Sequence, residues 1–99
     1  MRCKILPVIL LLAWSGAAAA QSPEREAAAL ADACASCHGP DGRSQGAIPS
    51  LAGMPAAAFV ARMAAFRSGH GDATVMDRIA PGVSPAEVEA LAAYYADLR

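Results

Sequence analysis

The chain contains the five-residue run Cys34-Ala35-Ser36-Cys37-His38. Its two thiols stand three positions apart, and an imidazole follows the second thiol directly. On a helix, positions three and four apart are surface neighbours, so a helical turn would bring all three groups together. Such a set can hold a metal, form a redox-active disulfide or attach a prosthetic group through both sulfurs. The rest of the sequence decides among these chemistries.

The first twenty residues have the composition of an export signal. Two basic residues precede an apolar run at positions 5–14, which is too short to span a bilayer, and alanines occupy positions 17–20. We expect cleavage after Ala20, so that residues 1–20 are a signal peptide and residues 21–99 form one domain. The mature protein is then expected in the periplasm, with no stable membrane insertion. An uncleaved membrane anchor is the alternative interpretation.

The mature segment is acidic. Without the leader, six arginines stand against nine aspartates and glutamates, a net charge of −3, and no lysine remains. A basic stripe for nucleic acid and a basic amphipathic helix for a membrane surface are therefore both excluded. We expect protein partners and no nucleic acid.

The mature segment is also poor in large side chains. Its aromatic residues are Phe59, Phe66, Tyr94 and Tyr95. Domains below about 70–80 residues usually need a disulfide, a metal or another constraint to be stable, and the mature segment is close to this limit. A disulfide within the motif would close too small a loop to constrain the unfolded chain. The sequence therefore predicts a thin core that a bound group has to complete.

Helical signals recur along the mature segment, and no alternating strand pattern appears. Ser22-Pro23-Glu24 predicts a helix start, and this helix is expected to run to about Ala33. A second helix is expected between Pro55 and Gly69, and the capping box Ser84-Pro85-Ala86-Glu87 begins a third. Glycine and proline predict a loop over residues 39–53. The conformation of residues 74–80 is left open, since no helix or strand pattern identifies it. The predicted fold class is all-α. Apolar residues recur at helical spacing in the second and third helices. They are Phe59, Met63 and Phe66 in the second helix, and Val88, Leu91, Tyr95 and Leu98 in the third.

Covalent haem attachment explains the motif, the export signal and the thin core together. Cys34 and Cys37 can each add to one haem vinyl group, which places His38 at the iron as an axial ligand. A thioredoxin-like pair would need a preceding strand and a βαβ context. A zinc site would need four ligands, and His70 is the one other candidate. The sequence therefore predicts one covalent haem c.

The second axial ligand has to come from Met54, Met63, Met76 or His70. Met63 shares a helix face with two phenylalanines and is expected in the core. His70 lies between two glycines and is expected to be a solvated turn residue. Met76 lies in the unassigned segment between two helices and is the favoured ligand, and an open iron site is a further alternative. A thioether ligand would favour reduced iron and raise the potential.

Several segments, in order, resemble the class I cytochromes c, especially the short bacterial type related to cytochromes c4, c5 and c553. These segments are CASCHGPDGRS, IPSLAG, FRSG, TVMDRIA and SPAEVEALAAYYA, and they fall within residues 30–96. The resemblance implies a small fold of three main helices around one haem, with Met76 as distal ligand. It also implies that the Pro49 carbonyl orients His38. The chain is similar, too, to the haem subunit of flavocytochrome c sulfide dehydrogenases.

The resulting hypothesis is a one-electron carrier, either a shuttle between redox partners or the haem subunit of a sulfur-compound dehydrogenase such as a sulfide dehydrogenase. It is not expected to be an enzyme on its own, since six-coordinate iron offers no position to a substrate. A flavoprotein dehydrogenase and a terminal oxidase are the partner classes considered. Docking is expected on an apolar rim of Ala35, Ala47, Ile48 and the residues near Met76, with arginines at its edge. Either Arg67 or Arg78 could pair with a haem propionate or lie solvated at the surface. The alternative functions are a peroxidase-like haem enzyme and a gas or redox sensor, both with an open or displaceable distal site.

Overall fold

The computed structural model describes residue 4 and residues 22–99 of the chain. The predicted signal peptide lies outside the described residues except at position 4, so its cleavage stays a prediction. Residues 22–99 contain helices and no strand, which confirms the all-α class. The elements are α1 (Pro23–His38), α2 (Ala56–Ser68), a short α3 (Met76–Ile79) and α4 (Pro85–Asp97), with 3-10 turns at Pro40–Gly42 and Ala80–Gly82. In this described part, every helix is too short or too polar to cross a membrane.

Capping residues fix the starts of α1 and α4. The Ser22 hydroxyl accepts a hydrogen bond from the Arg25 amide at 3.4 Å. At α4 the predicted capping box is complete, because the Ser84 hydroxyl accepts from the Glu87 amide at 3.1 Å and the Glu87 carboxylate accepts from the Ser84 amide at 2.9 Å. The backbone hydrogen bond from Ser84, reinforced by its hydroxyl, lowers the pKa of Glu87. The carboxylate therefore supports the helix start at neutral pH, and this support is lost as the pH falls through the lowered pKa.

Two boundaries differ from the sequence prediction. The expected end of α1 near Ala33 was wrong, because the helix continues through His38 and ends at Gly39, whose amide donates to the Ala35 carbonyl at 3.0 Å. Neither glycine nor proline interrupts the chain before Gly39, so nothing local stops the helix earlier. The unassigned segment forms α3 and the second 3-10 turn. The second helix lies between Pro55 and Gly69 as predicted.

The core forms where α4 packs against α1 and α2. Tyr95 is its largest fully buried side chain, with a ring centroid 5.7 Å from that of Phe59 and 5.2 Å from that of Tyr94. Because several of its members are alanines, the cluster buries little apolar area for each residue it orders. The core is thin, as the composition predicted. The buried residues of this core cluster are Ala31, Leu51, Phe59, Met63, Ala80, Val88, Leu91, Ala92 and Tyr95.

Candidate functional site

The last turns of α1 carry both motif thiols. Cys34 is half-buried and borders the core cluster, whereas Cys37 is exposed, and both thiols are free. The Cys34 thiol donates to the Leu30 carbonyl oxygen over 3.8 Å. Since positions three apart are neighbours on a helix surface, the two sulfurs lie on one side of α1. One sulfur thus faces the protein interior, and the other lies at its surface.

A backbone carbonyl orients the half-buried imidazole of His38. Its Nδ1 lies 2.6 Å from the carbonyl oxygen of Pro49, the contact implied by the resemblance. A carbonyl oxygen can only accept, so Nδ1 carries the proton and Nε2 keeps its lone pair. A hydrogen bond of this kind fixes the ring orientation and makes the second nitrogen a stronger metal ligand. The side chain is therefore prepared to bind a metal through Nε2.

Gly39 allows the chain to leave α1 in the direction that brings Pro49 back to the helix. Its φ of 86° lies in the region that favours glycine. A Cβ at this position would collide with the Arg43 carbonyl oxygen. The position directly after His38 therefore requires glycine on both conformational and steric grounds.

The loop that carries Pro49 is also tied to the core. The Gly42 carbonyl accepts hydrogen bonds from the amides of Leu51 and Ala52, at 2.7 and 3.2 Å. A Cβ added to Gly42 would lie 2.7 Å from the ring of Tyr95, so α4 packs directly on this turn. Packing from α4 thus helps to hold the carbonyl that orients the motif histidine.

The buried phenol of Tyr95 lies beside the motif. Burial raises the pKa of Tyr95 above its ordinary value, and the neighbouring Cys34 thiol adds to this shift. The phenol is therefore neutral at physiological pH and places no charge next to the sulfur. The sequence placed Tyr95 on the apolar stripe of its helix but held no signal for its proximity to Cys34.

An open cleft of about 340 Å³ lies beside the motif. It is lined by residues 35–37, 39–40 and 44–48, none of which has a charged side chain. The cleft brings together Ala35, Ala47 and Ile48 of the predicted docking rim, whereas the residues near Met76, which the rim was also expected to include, do not line it. Ile48, one of the lining residues, is 44% exposed.

The candidate distal ligands occupy different environments. Met63 is buried in the core, and His70 is exposed with Nδ1 3.1 Å from the Ser68 hydroxyl, as predicted for both. Met54 and Met76 are half-buried and pack against the core cluster that Cys34 also borders. Met76 is the first residue of α3. Its role as ligand stays a prediction.

The two arginines considered as propionate partners, Arg67 and Arg78, have different environments in the structure. Arg67 lies in the last turn of α2, and its Nη1 donates to the Val83 carbonyl oxygen at 3.0 Å. Arg78 is exposed on α3. Both arginines are exposed, and the Arg67 guanidinium is engaged with the protein backbone through one nitrogen. The pairing of either with a propionate stays a prediction.

The donor set of the motif fits a covalently bound haem c. Within residues 22–99, no three Cys, His, Asp or Glu side chains converge in a way that could hold a metal ion by themselves. The motif instead offers two unpaired thiols for the two vinyl groups and one oriented imidazole for the iron.

The chain is similar to known cytochromes. The sequence profile of the family described as cytochrome c matches residues 24–98. The cytochrome subunit of sulfide dehydrogenase from Chlorobaculum tepidum is 36% identical over 69 residues, which cover 70% of this chain and 63% of that protein. The thiosulfate dehydrogenase electron acceptor of Thiomonas intermedia is 36% identical over 95 residues, or 92% of this chain and 44% of that protein.

A shorter relative is matched over more of its length. Cytochrome c-554(548) of Halomonas halodenitrificans is 36% identical over 66 residues, which cover 63% of this chain and 80% of that protein. The chain thus spans less than two thirds of the sulfide and thiosulfate dehydrogenase proteins and four fifths of this shorter relative.

Proposed function

The chain belongs to the cytochrome c family, and on this premise we propose that it is a periplasmic one-electron carrier with a single haem c. The haem would be bound to Cys34 and Cys37, with His38 and Met76 as axial ligands. One observation carries the proposal: two free thiols and an imidazole share the end of α1, and the Pro49 carbonyl holds that imidazole at 2.6 Å with Nε2 available.

Each of these residues has a distinct task toward the cofactor. A bound haem supplies reversible one-electron chemistry at its iron. Cys34 and Cys37 would fix the haem to α1, and His38 would bind the iron while the Pro49 carbonyl prevents ring rotation. The Met76 thioether would favour reduced iron and occupy the position at which a substrate could otherwise bind. The protein would therefore transfer electrons without itself converting a substrate.

We further propose that the electrons come from a dehydrogenase that oxidises a reduced sulfur compound. The support is the similarity to a cytochrome subunit of sulfide dehydrogenase and to a thiosulfate dehydrogenase electron acceptor. Such a dehydrogenase could be a flavoprotein, and a terminal oxidase is a suitable acceptor. Docking would use the uncharged cleft beside Cys37, since a mature segment without lysine has no basic ring to steer partners.

Replacing Met76 tests the axial ligation. Met76→Leu keeps the volume of the side chain but removes its sulfur, so the oxidised protein should lose its weak far-red absorption while the haem stays attached. The reduction potential should fall on the order of 0.1 V, because axial ligands tune haem potentials over a range of about 0.8 V. The measurements are an optical spectrum and a redox titration of the purified holoprotein.

Met54→Leu and Met63→Leu are the matched controls, and both should keep the absorption. Loss of the band in Met54→Leu with its retention in Met76→Leu would overturn the assignment of Met76. Rapid carbon monoxide binding by the reduced parent protein at neutral pH would instead indicate an open iron site, and thus a haem enzyme or a sensor.

A further inference from the structure

We propose that Arg67 is a positioning residue that fastens the distal segment, residues 72–83, to α2 and so determines how readily Met76 leaves the iron. The proposal rests on the axial role of Met76 proposed above. It concerns a side chain that would act on the iron only through the segment it holds.

The distal segment forms few hydrogen bonds, and its backbone bonds are local. The amides of Arg78 and Ile79 donate to the Val75 carbonyl at 2.9 and 3.2 Å, and the Val83 amide donates to the Ala80 carbonyl at 3.1 Å. Each joins residues no more than four positions apart. They give the segment its helical turns but do not attach it to the rest of the molecule.

Arg67 supplies a hydrogen-bonded attachment, in addition to the packing of α3 and of the second 3-10 turn on α2. Its Nη1 donates to the Val83 carbonyl oxygen at 3.0 Å, and among residues 22–99 this is the one hydrogen bond that joins the distal segment to another element. Arg67 precedes the segment at the end of α2, and Val83 is the last residue of the segment, next to the cap of α4. The bond therefore closes residues 67–83 into a loop that contains Met76.

Apolar packing holds the segment weakly. Ala80 is its one fully buried apolar side chain and contributes a single methyl group, whereas Met76 and Val83 are half-buried. Val75 and Ile79 are 54% and 47% exposed. Because so little apolar area is buried, the hydrogen bond from Arg67, although exposed, adds appreciably to what opposes release of the segment.

The expected effect follows from the net strength of one protein hydrogen bond. Its loss should favour the released form of the distal segment by about fivefold. An added ligand such as imidazole competes with Met76 for oxidised iron and binds only when the thioether has left. Its apparent dissociation constant should therefore fall by the same factor of about five.

The test is an imidazole titration of the oxidised holoprotein, comparing the parent with Arg67→Gln and Arg25→Gln. Arg25 is exposed in the first turn of α1, so Arg25→Gln makes the same change of charge away from the distal segment. We expect about fivefold tighter apparent binding for Arg67→Gln and parental binding for Arg25→Gln. The thermal midpoint of Arg67→Gln should also fall by a few degrees, because the same hydrogen bond is lost on global unfolding. The change in imidazole affinity is the readout that reports the local opening.

The possible results separate the two proposals. If the parent shows the far-red absorption but Arg67→Gln binds imidazole no more tightly than the parent, the role of Arg67 is refuted and Met76 keeps its assignment. Equal tightening in Arg25→Gln would also refute it, by showing a general effect of charge. If the parent itself lacks the far-red absorption, the axial role of Met76 is refuted, and the proposed role of Arg67 is refuted with it.

Discussion

Replacing both motif cysteines, in the variant Cys34→Ala with Cys37→Ala, should leave the mature chain without covalent haem and largely unfolded. The core cluster has few large side chains, and three of its nine members, Ala31, Ala80 and Ala92, are alanines. A domain of this size is marginal even with an ordinary core, and isolated helices of 13 to 16 residues are barely stable in water. Haem staining on a denaturing gel and far-ultraviolet circular dichroism would measure the two effects.

Ser36→Ala is the matched control, since Ser36 lies between the two cysteines and is exposed. Its hydroxyl donates to the Ala33 carbonyl at 2.9 Å within the same helix. This variant should carry haem and fold like the parent. A double cysteine variant with parental helix content and a cooperative thermal transition would contradict the view that haem completes the core.

Tyr95→Ala should lower the unfolding free energy of the holoprotein by about 3–5 kcal/mol. After the double cysteine variant, this is the largest loss of stability that we expect. Only 1% of this side chain is exposed, and its ring packs against Phe59 and against the turn at Gly42. A cavity at this position would also loosen the loop that carries Pro49. Chemical denaturation followed by circular dichroism would give the change in free energy.

Tyr94→Ala separates burial from the mere loss of an aromatic ring. Tyr94 is only half-buried, and its ring meets Tyr95 edge-on with centroids 5.2 Å apart. Its truncation should cost roughly half as much, because less apolar area returns to water. If Tyr95→Ala proved no more destabilising than Tyr94→Ala, Tyr95 could not be the centre of the core.

Most helix boundaries with local causes could be predicted from the sequence, and the end of α1 at Gly39 is the exception. The capping box at Ser84, the glycine at position 69 and the proline at position 55 each act on residues within one turn, so their effect can be read directly from the chain. The α3 helix was missed because four residues carry too little periodicity to identify a helix. It forms where Ala80 becomes buried between other elements, which is a tertiary effect.

In the candidate site, too, local features could be predicted from the sequence and long-range contacts could not. Cys34, Cys37 and His38 could be identified because their chemistry lies within one turn of helix. The carbonyl of Pro49, 11 residues from His38, was expected only from the family resemblance. The bond from Arg67 joins residues 16 positions apart, and such contacts leave no trace in composition or spacing.

The most direct test of the haem assignment is the intact mass of the mature protein, produced in cells that attach haem to exported proteins. We predict the mass of residues 21–99 plus one haem, with the haem remaining on the peptide that contains Cys34 and Cys37 after proteolysis. A protein of the bare chain mass with two titratable thiols, or one whose haem is removed by acidic organic solvent, would contradict the account.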